Sequence, residues 1–226
     1  MAKISNVKAC VFDAYGTLFD VHSAIGQHKD RLGDKAQAVS FMWRDKQLQY
    51  TWLRSLMKSH ADFWQVTNDA LAYALEANGF DDPALKYDLA QAYLELSCYP
   101  EVVATLEQLK AKGYKLGILS NGAPAMLNAA VKNANLTELM DEVLSVENVG
   151  IYKPDPSVYQ LACDKMNVGP EEVCFLSSNA WDAAGAATFG FNVVWINRFA
   201  QPHENLPGTE KAEIQTLDQL LNLVEP

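Results

Sequence analysis

The apolar and polar positions along the chain change period twice. Lys8 to Phe12 (KACVF) is a short apolar run rich in β-formers and predicts a buried first strand. The run stops at Asp13, and Gly16 follows as a turn residue. From about Val21 to Tyr99 the period is helical. Asp34 is placed to cap a long helix through Phe41, Trp43, Leu48, Trp52, Leu53 and Leu56. Asp62 is placed to cap a second helix that closes at Gly79, and Asp82-Pro83 opens a third with proline at the first helical position.

After Pro100 strands alternate with single helices. A helix from Glu101 to Lys112, ended by Gly113, leads to a strand at Lys115 to Leu119. A helix from Pro124, a strand near Glu142 to Val146, a helix from Asp155 and a strand at Val173 to Leu176 follow. A helix from Trp181 and a strand at Asn192 to Ile196 complete the series. This alternation predicts an α/β fold with a doubly wound parallel sheet covered on both faces. The second strand begins about a hundred residues after the first, far beyond an ordinary crossover. The intervening helices are therefore expected to form an inserted lobe. The predicted organisation is a Rossmann-like core of residues 1–20 and 98–226 with an inserted helical cap at 21–97. Ligands of open α/β sheets bind beyond the carboxyl ends of the strands, so an insertion after the first strand would cover that site.

Composition narrows the function classes. The 226 residues are 49% hydrophobic and carry a formal net charge of -10, enough for one sizeable core and the wrong sign for binding a phosphate backbone. No nucleic-acid partner is expected. The same charge repels anionic substrates at long range, so a bound acid must be held by local cations and amides. Cys10, Cys98, Cys163 and Cys174 lack metal-ligand spacing and read as small buried residues in a reducing compartment. The apolar run Ala9 to Phe12 is too short for a signal peptide or a membrane span, so a cytoplasmic protein without a membrane partner is expected.

Each strand end carries a polar cluster: Asp13-Ala14-Tyr15-Gly16-Thr17, Ser120-Asn121-Gly122, Tyr152-Lys153-Pro154 and Ser177-Ser178-Asn179-Ala180-Trp181-Asp182. Taken singly, each has an ordinary explanation. Asp followed by Gly and Thr caps a turn, Ser-Asn-Gly caps a helix, Lys153 is a solvated loop lysine, and Asp182 favours a helix dipole. Convergence of all four at successive strand ends predicts a site more strongly than any one of them.

The segments FDAYGTLFD (Phe12 to Asp20), LSNG (Leu119 to Gly122), YKPDPSVY (Tyr152 to Tyr159) and FLSSNAWDAAGA (Phe175 to Ala186) resemble the haloacid dehalogenase superfamily. Within it the chain is similar to the L-2-haloacid dehalogenases. The four motifs occur in the family's order over nearly the whole chain; a lone D-x-x-x-T would be weak. Most members of the superfamily are magnesium-dependent phosphatases whose first motif reads D-x-D, the second Asp being the general acid. Tyr15 stands there instead, and Asp182 is the only carboxylate of the last motif. Losing acidic groups at both positions removes the acid and weakens a Mg²⁺ site, and a halide leaving group needs neither.

The resemblance implies hydrolytic dehalogenation of small L-2-haloacids with no cofactor and no metal. Asp13 would be the nucleophile, and Asp182 would activate water with help from Ser177 and Asn179. Lys153 would neutralise the substrate carboxylate and the crowded carboxylates around it. Ser120 and the amides after Asp13, beginning at Ala14, would hold the substrate carboxylate. Thr17 and Tyr159 would position Asp13 and Lys153. Arg44 would bind the halide together with Asn121 and Trp181, although as sequence alone it reads as a solvated helix arginine. Tyr15, Leu48 and Phe63 would wall the substrate's apolar side, core packing being the ordinary explanation for the same residues. Asp45 departs from the family, which has a neutral polar residue after the arginine, and Leu176 replaces a typical Val. A homodimer is expected from the resemblance and from the apolar face of the cap helices. The competing readings are a Mg²⁺-dependent phosphatase acting on a small phosphorylated metabolite and a non-catalytic binding protein on the same fold.

Overall fold

The computed structural model describes residues 3–225. Six strands form one parallel sheet: β1 Ala9–Phe12, β2 Lys115–Ser120, β3 Glu142–Ser145, β4 Val173–Ser177, β5 Asn192–Ile196 and β6 Ala212–Ile214. Their spatial order is β3-β2-β1-β4-β5-β6. β1 lies between β2 and β4, in register Phe12 with Ile118 and Phe12 with Leu176. Its four residues are all fully buried, as a central parallel strand covered on both faces requires. The strand order reverses at the β1–β4 pair, the switch point at which such sheets open a crevice.

Between β1 and β2 lie α1 Ser23–Gly26, α2 Lys29–Leu32, α3 Ala36–Met57, α4 Phe63–Ala77 and α5 Pro83–Ala92. The sheet is flanked by α6 Val102–Ala111, α7 Pro124–Asn133, α8 Pro156–Met166 and α9 Ala180–Phe189. The outgoing and returning chains pair: Phe19 bridges Cys98 antiparallel, Asp20 N–H donates to Ser97 O at 2.9 Å, and Tyr99 N–H donates to Leu18 O at 3.0 Å. The long excursion therefore leaves and re-enters the sheet through one narrow neck.

Most helix signals act as the sequence predicts. Asp62 is extended and accepts from Gln65 N–H at 2.8 Å, and Asp82 accepts from Leu85 N–H at 2.9 Å. Gly79 and Gly113 adopt the left-handed backbone that ends α4 and α6. Asp34 does not cap α3. It lies within a 3-10 turn, Gly33–Lys35, that runs straight into the helix, so no extended residue precedes α3 to present a cap. β6, α1 and α2 are additional to the predicted elements; three or four residues carry too little periodicity to register. Of the four free cysteines, Cys10, Cys163 and Cys174 are buried and Cys98 is half-buried at the neck.

Candidate active site

β1 delivers Asp13 to its carboxyl end, where the Asp13 backbone N–H still bonds to Leu176 O of β4 at 2.8 Å. The residue is 6% exposed. Such a carboxylate is costly unless its charge is compensated. Compensation comes from Lys153 in the loop before α8, whose Nζ lies 3.1 Å from Asp13 Oδ1 and 2.9 Å from Asp182 Oδ2. Lys153 itself is 1% exposed. Its ammonium thus lies between the carboxylates of Asp13 and Asp182.

Burial alone would lower the Lys153 pKa, but the two carboxylates outweigh burial and hold it above the usual 10.5. Lys153 is therefore charged at neutral pH. Burial pushes the Asp182 carboxyl up, Lys153 pulls it back, and the nearby Asp13 charge pushes it up again, leaving it raised. Tyr159 donates its hydroxyl to Asp182 Oδ1 at 2.8 Å, and burial with the Asp182 charge keeps that phenol protonated.

Asp13 Oδ2 accepts from Thr17 Oγ1 at 3.2 Å and from Asn179 Nδ2 at 2.9 Å. Ser178 N–H donates back to Thr17 Oγ1 at 2.8 Å, tying the loop after β1 to the loop after β4. Gly16, at φ +89°, permits this crossing: a Cβ there would lie 2.9 Å from Ser178 Oγ. Three bonds use three of the roughly four lone-pair directions of a carboxylate, so Asp13 is oriented and keeps capacity for attack.

The other predicted residues fall into distinct positions. Ser120 Oγ accepts from Gly122 N–H at 3.0 Å and Ser177 Oγ accepts from Asn179 N–H at 3.1 Å, so each hydroxyl shapes its own strand-end loop. Asn121 Oδ1 accepts from Lys153 N–H at 3.1 Å, joining the second and third clusters. Ala14 is fully buried, and its carbonyl accepts from Leu18 and Phe19 N–H. Tyr15 stacks between Phe63 and Tyr93, with ring centroids 5.7 and 5.5 Å away. A Cβ on residue 122 would come within 2.6 Å of the Tyr15 ring, so glycine lets that ring lie over the loop. The Tyr15 hydroxyl and the Trp181 indole N–H are buried with no protein partner. Trp181 meets Trp52 of α3 edge-on at 5.3 Å.

Arg44 comes from α3, on the opposite wall. It donates to Asn179 Oδ1 at 3.1 Å and to Gln47 Oε1 at 2.8 Å, with a longer bond of 3.4 Å to Tyr15 O. Asn179 thus links the nucleophile to the arginine. A cleft of about 720 Å³ opens beside them between α3 and the sheet, lined by Leu48, Asn179, Trp181, Phe41 and Phe199 among others. Asp13 does not line it, but Asn179, which does, is bonded to Asp13. Gln47 and Tyr93, which carry part of this arrangement, went unread in the sequence, and Ser178 was read only as a member of the last cluster, without a role. Gln47 had a signal, since Val39, Trp43, Gln47 and Thr51 share one buried stripe of α3 and Gln is the misfit in it.

A family model for haloacid dehalogenase-like hydrolases matches residues 7–190. The chain belongs to that family. Among curated relatives, this hydrolase is 50% identical over 222 residues to the (S)-2-haloacid dehalogenase 4A of Burkholderia cepacia, covering 98% of this chain and 96% of that one. It superposes on a crystal structure of a dehalogenase with an intermediate complex at TM-score 0.96, with 49% identity and 99% of both chains covered. It also matches the L-2-haloacid dehalogenase of Xanthobacter autotrophicus with chloropropionic acid covalently bound, at TM-score 0.90 and 38% identity over 96% of this chain and 98% of that one. Among the described residues of the hydrolase, no helix is long and apolar enough to cross a membrane.

Proposed function

We propose that this hydrolase converts small L-2-haloacids into D-2-hydroxyacids and halide through a covalent ester on Asp13, without a metal. The observation that carries this reading is a carboxylate oriented by Thr17, Asn179 and Lys153, facing an arginine that has no carboxylate partner among the described residues. An Asp13 oxygen attacks the substrate α-carbon, the carbon–halogen bond breaks, and the electron pair leaves with the halide. Arg44, with Asn121 and the unpartnered Trp181 N–H, receives the halide. Water then attacks the ester carbonyl, Asp182 takes its proton, and the hydroxyacid leaves as the proton is returned. The raised pKa of Asp182 makes it a stronger base than an exposed aspartate.

Lys153 and Ser120, with the amides following Asp13, hold the substrate carboxylate. Ser177 fixes the Asn179 turn, and Tyr159 holds Asp182. Tyr15, Leu48 and Phe63 form the wall against the α-substituent. The phosphatase reading is disfavoured because Tyr15 has no acid to give a leaving alcohol and Lys153 stands between the two carboxylates. Residues 21–97 act as a cap on a core of 1–20 and 98–226, a reading supported by the narrow neck at Phe19 and Cys98. Exposed Leu53, Leu56 and Met57 on α3 support a homodimer, and four free cysteines support a cytoplasmic setting.

The test is chloride release from L-2-chloropropionate in EDTA, with the D-enantiomer and p-nitrophenyl phosphate plus Mg²⁺ as parallel arms. L-selective, EDTA-resistant release with inversion at the α-carbon is expected. In a single turnover in ¹⁸O water, label should enter Asp13 and not the product. Mg²⁺-dependent phosphate release without chloride would replace the proposal with the phosphatase reading.

A further inference from the structure

The guanidinium of Arg44 is held by neutral groups alone: all its hydrogen-bond partners among the described residues are the side-chain oxygens of Gln47 and Asn179 and the carbonyl of Tyr15. Gln47, one helical turn along α3, is 1% exposed and belongs to a closed set of bonds. Its Oε1 accepts from Arg44 Nη1 at 2.8 Å and from the Tyr93 hydroxyl at 3.3 Å. Its Nε2 donates to Thr67 Oγ1 at 2.8 Å, and Thr67 spends its single hydroxyl hydrogen on Phe63 O at 2.6 Å. A guanidinium offers only donors, so the atom facing Arg44 must be the amide oxygen. With its hydrogen spent on Phe63, Thr67 can only accept from the amide nitrogen. The network leaves the amide one orientation.

We propose that Gln47 is a positioning residue that aims the Arg44 guanidinium at the leaving halide while leaving its charge uncancelled. The proposal rests on the reading of Arg44 as the halide-binding cation. A buried donor needs a partner, and glutamine supplies an oxygen without a negative charge. A glutamate of the same length would form an ion pair with Arg44 and offset the charge that the departing halide meets. An apolar residue would free one side of the guanidinium, leaving only Asn179 and the long bond to Tyr15 to orient it. Tyr93 and Thr67 make the device directional: they come from different elements of the inserted segment, and both are buried. Tyr93 also stacks on Tyr15, so the same residue supports the substrate wall and the arginine's acceptor.

The experiment is single-turnover halide release from L-2-chloropropionate and L-2-bromopropionate by Gln47→Glu, Gln47→Met, Arg44→Met and the Arg44→Met/Gln47→Met double variant. Gln49→Glu, which adds the same charge on the exposed face of α3, is the control, and urea unfolding accompanies each. Gln47→Glu should slow chloride release about 100-fold and Gln47→Met about 10-fold, consistent with loss of a preorganised charge and of its aim. The loss should be several-fold larger for chloride, the poorer leaving group, than for bromide. In the Arg44→Met background the Gln47→Met change should cost less than about twofold, because the two act as one unit. The Gln49→Glu control should match wild type. Gln47→Met within twofold of wild type, while Arg44→Met is strongly slowed, would overturn the positioning role and leave the halide reading intact. Equal penalties from Gln47→Met in both Arg44 backgrounds, or failure of both Gln47 variants to fold, would make Gln47 structural and overturn the proposal. Unimpaired chloride release by Arg44→Met would instead sink the halide reading itself.

Discussion

Two cations face each other across the site, and the protein treats them oppositely. Lys153, from the sheet side, is 1% exposed and sits between two carboxylates at 3.1 and 2.9 Å. Arg44, from the inserted helices, is partly buried and surrounded by amide and carbonyl oxygens. Lys153 compensates charge that the protein itself has buried; among the described residues no carboxylate is hydrogen-bonded to Arg44 to offset its charge. On the proposed reading, this contrast lets a site in a chain of net charge -10 receive an anion, because the local cation is not paired with one of the protein's own acids.

The largest effect should come from Asp13. Asp13→Asn should lower halide release by on the order of 10⁴ or more, since it removes the nucleophile while keeping the shape; the check is ion chromatography of single-turnover reactions. Residual release within tenfold of wild type would assign the attack to water.

Lys153→Met and Arg44→Met then separate the two cations. Lys153→Met leaves two buried carboxylates face to face and should cost about 3–5 kcal/mol of stability. The pH dependence follows from the raised pKa values. In the wild type the Lys153 contribution is present below its unfolded value near 10.5 and is lost as pH rises through the higher folded value. The raised Asp182 carboxyl contributes only at acid pH and loses that contribution as pH climbs from 3.8 through its folded value. Without the ammonium the Asp182 carboxyl is pushed further up, so the deficit of Lys153→Met relative to wild type should be larger at pH 8 than at pH 5. A pH-independent deficit in urea midpoints would mean that the carboxylates do not repel. Arg44→Met should do the reverse, slowing halide release by about 10²–10³ with a stability change of about 1 kcal/mol or less. A large loss of stability there would erase the distinction between the cations.

The smallest effect tests the Lys153 side alone. Tyr159→Phe removes one hydrogen bond to Asp182 and should slow ester hydrolysis about 10-fold while leaving the halide burst intact. Mass spectrometry of quenched enzyme should then show the ester accumulating on Asp13; slowing of the burst would place Tyr159 in the first step instead.

Much of this was legible in residue order. The apolar runs of β1, β2, β4 and β5 are short, continuous and separated by helices with marked ends, so their assignment follows from local pattern. Asp62 and Asp82 act as caps because a cap is a local bond. Asp34 fails for the complementary reason: whether the preceding turn is extended or 3-10 depends on how the chain enters α3, which its own residues do not show. The strand-end clusters were visible as clusters, and the motifs indicated which families use them.

The sequence by itself determined the order of the first five strands and of the longer helices, the polar ends of the strands, and the absence of a second acid at Tyr15, because these are properties of neighbouring residues. Only the tertiary structure decided which charges are spent. Asp13, Lys153 and Asp182 lie 140 and 29 positions apart along the chain, yet one ammonium serves both carboxylates. Arg44 and Gln47 are one turn apart, but their significance depends on Asn179, Thr67 and Tyr93, which arrive from other elements. Electrostatic compensation and hydrogen-bond satisfaction depend on distance in space, and packing alone sets that distance.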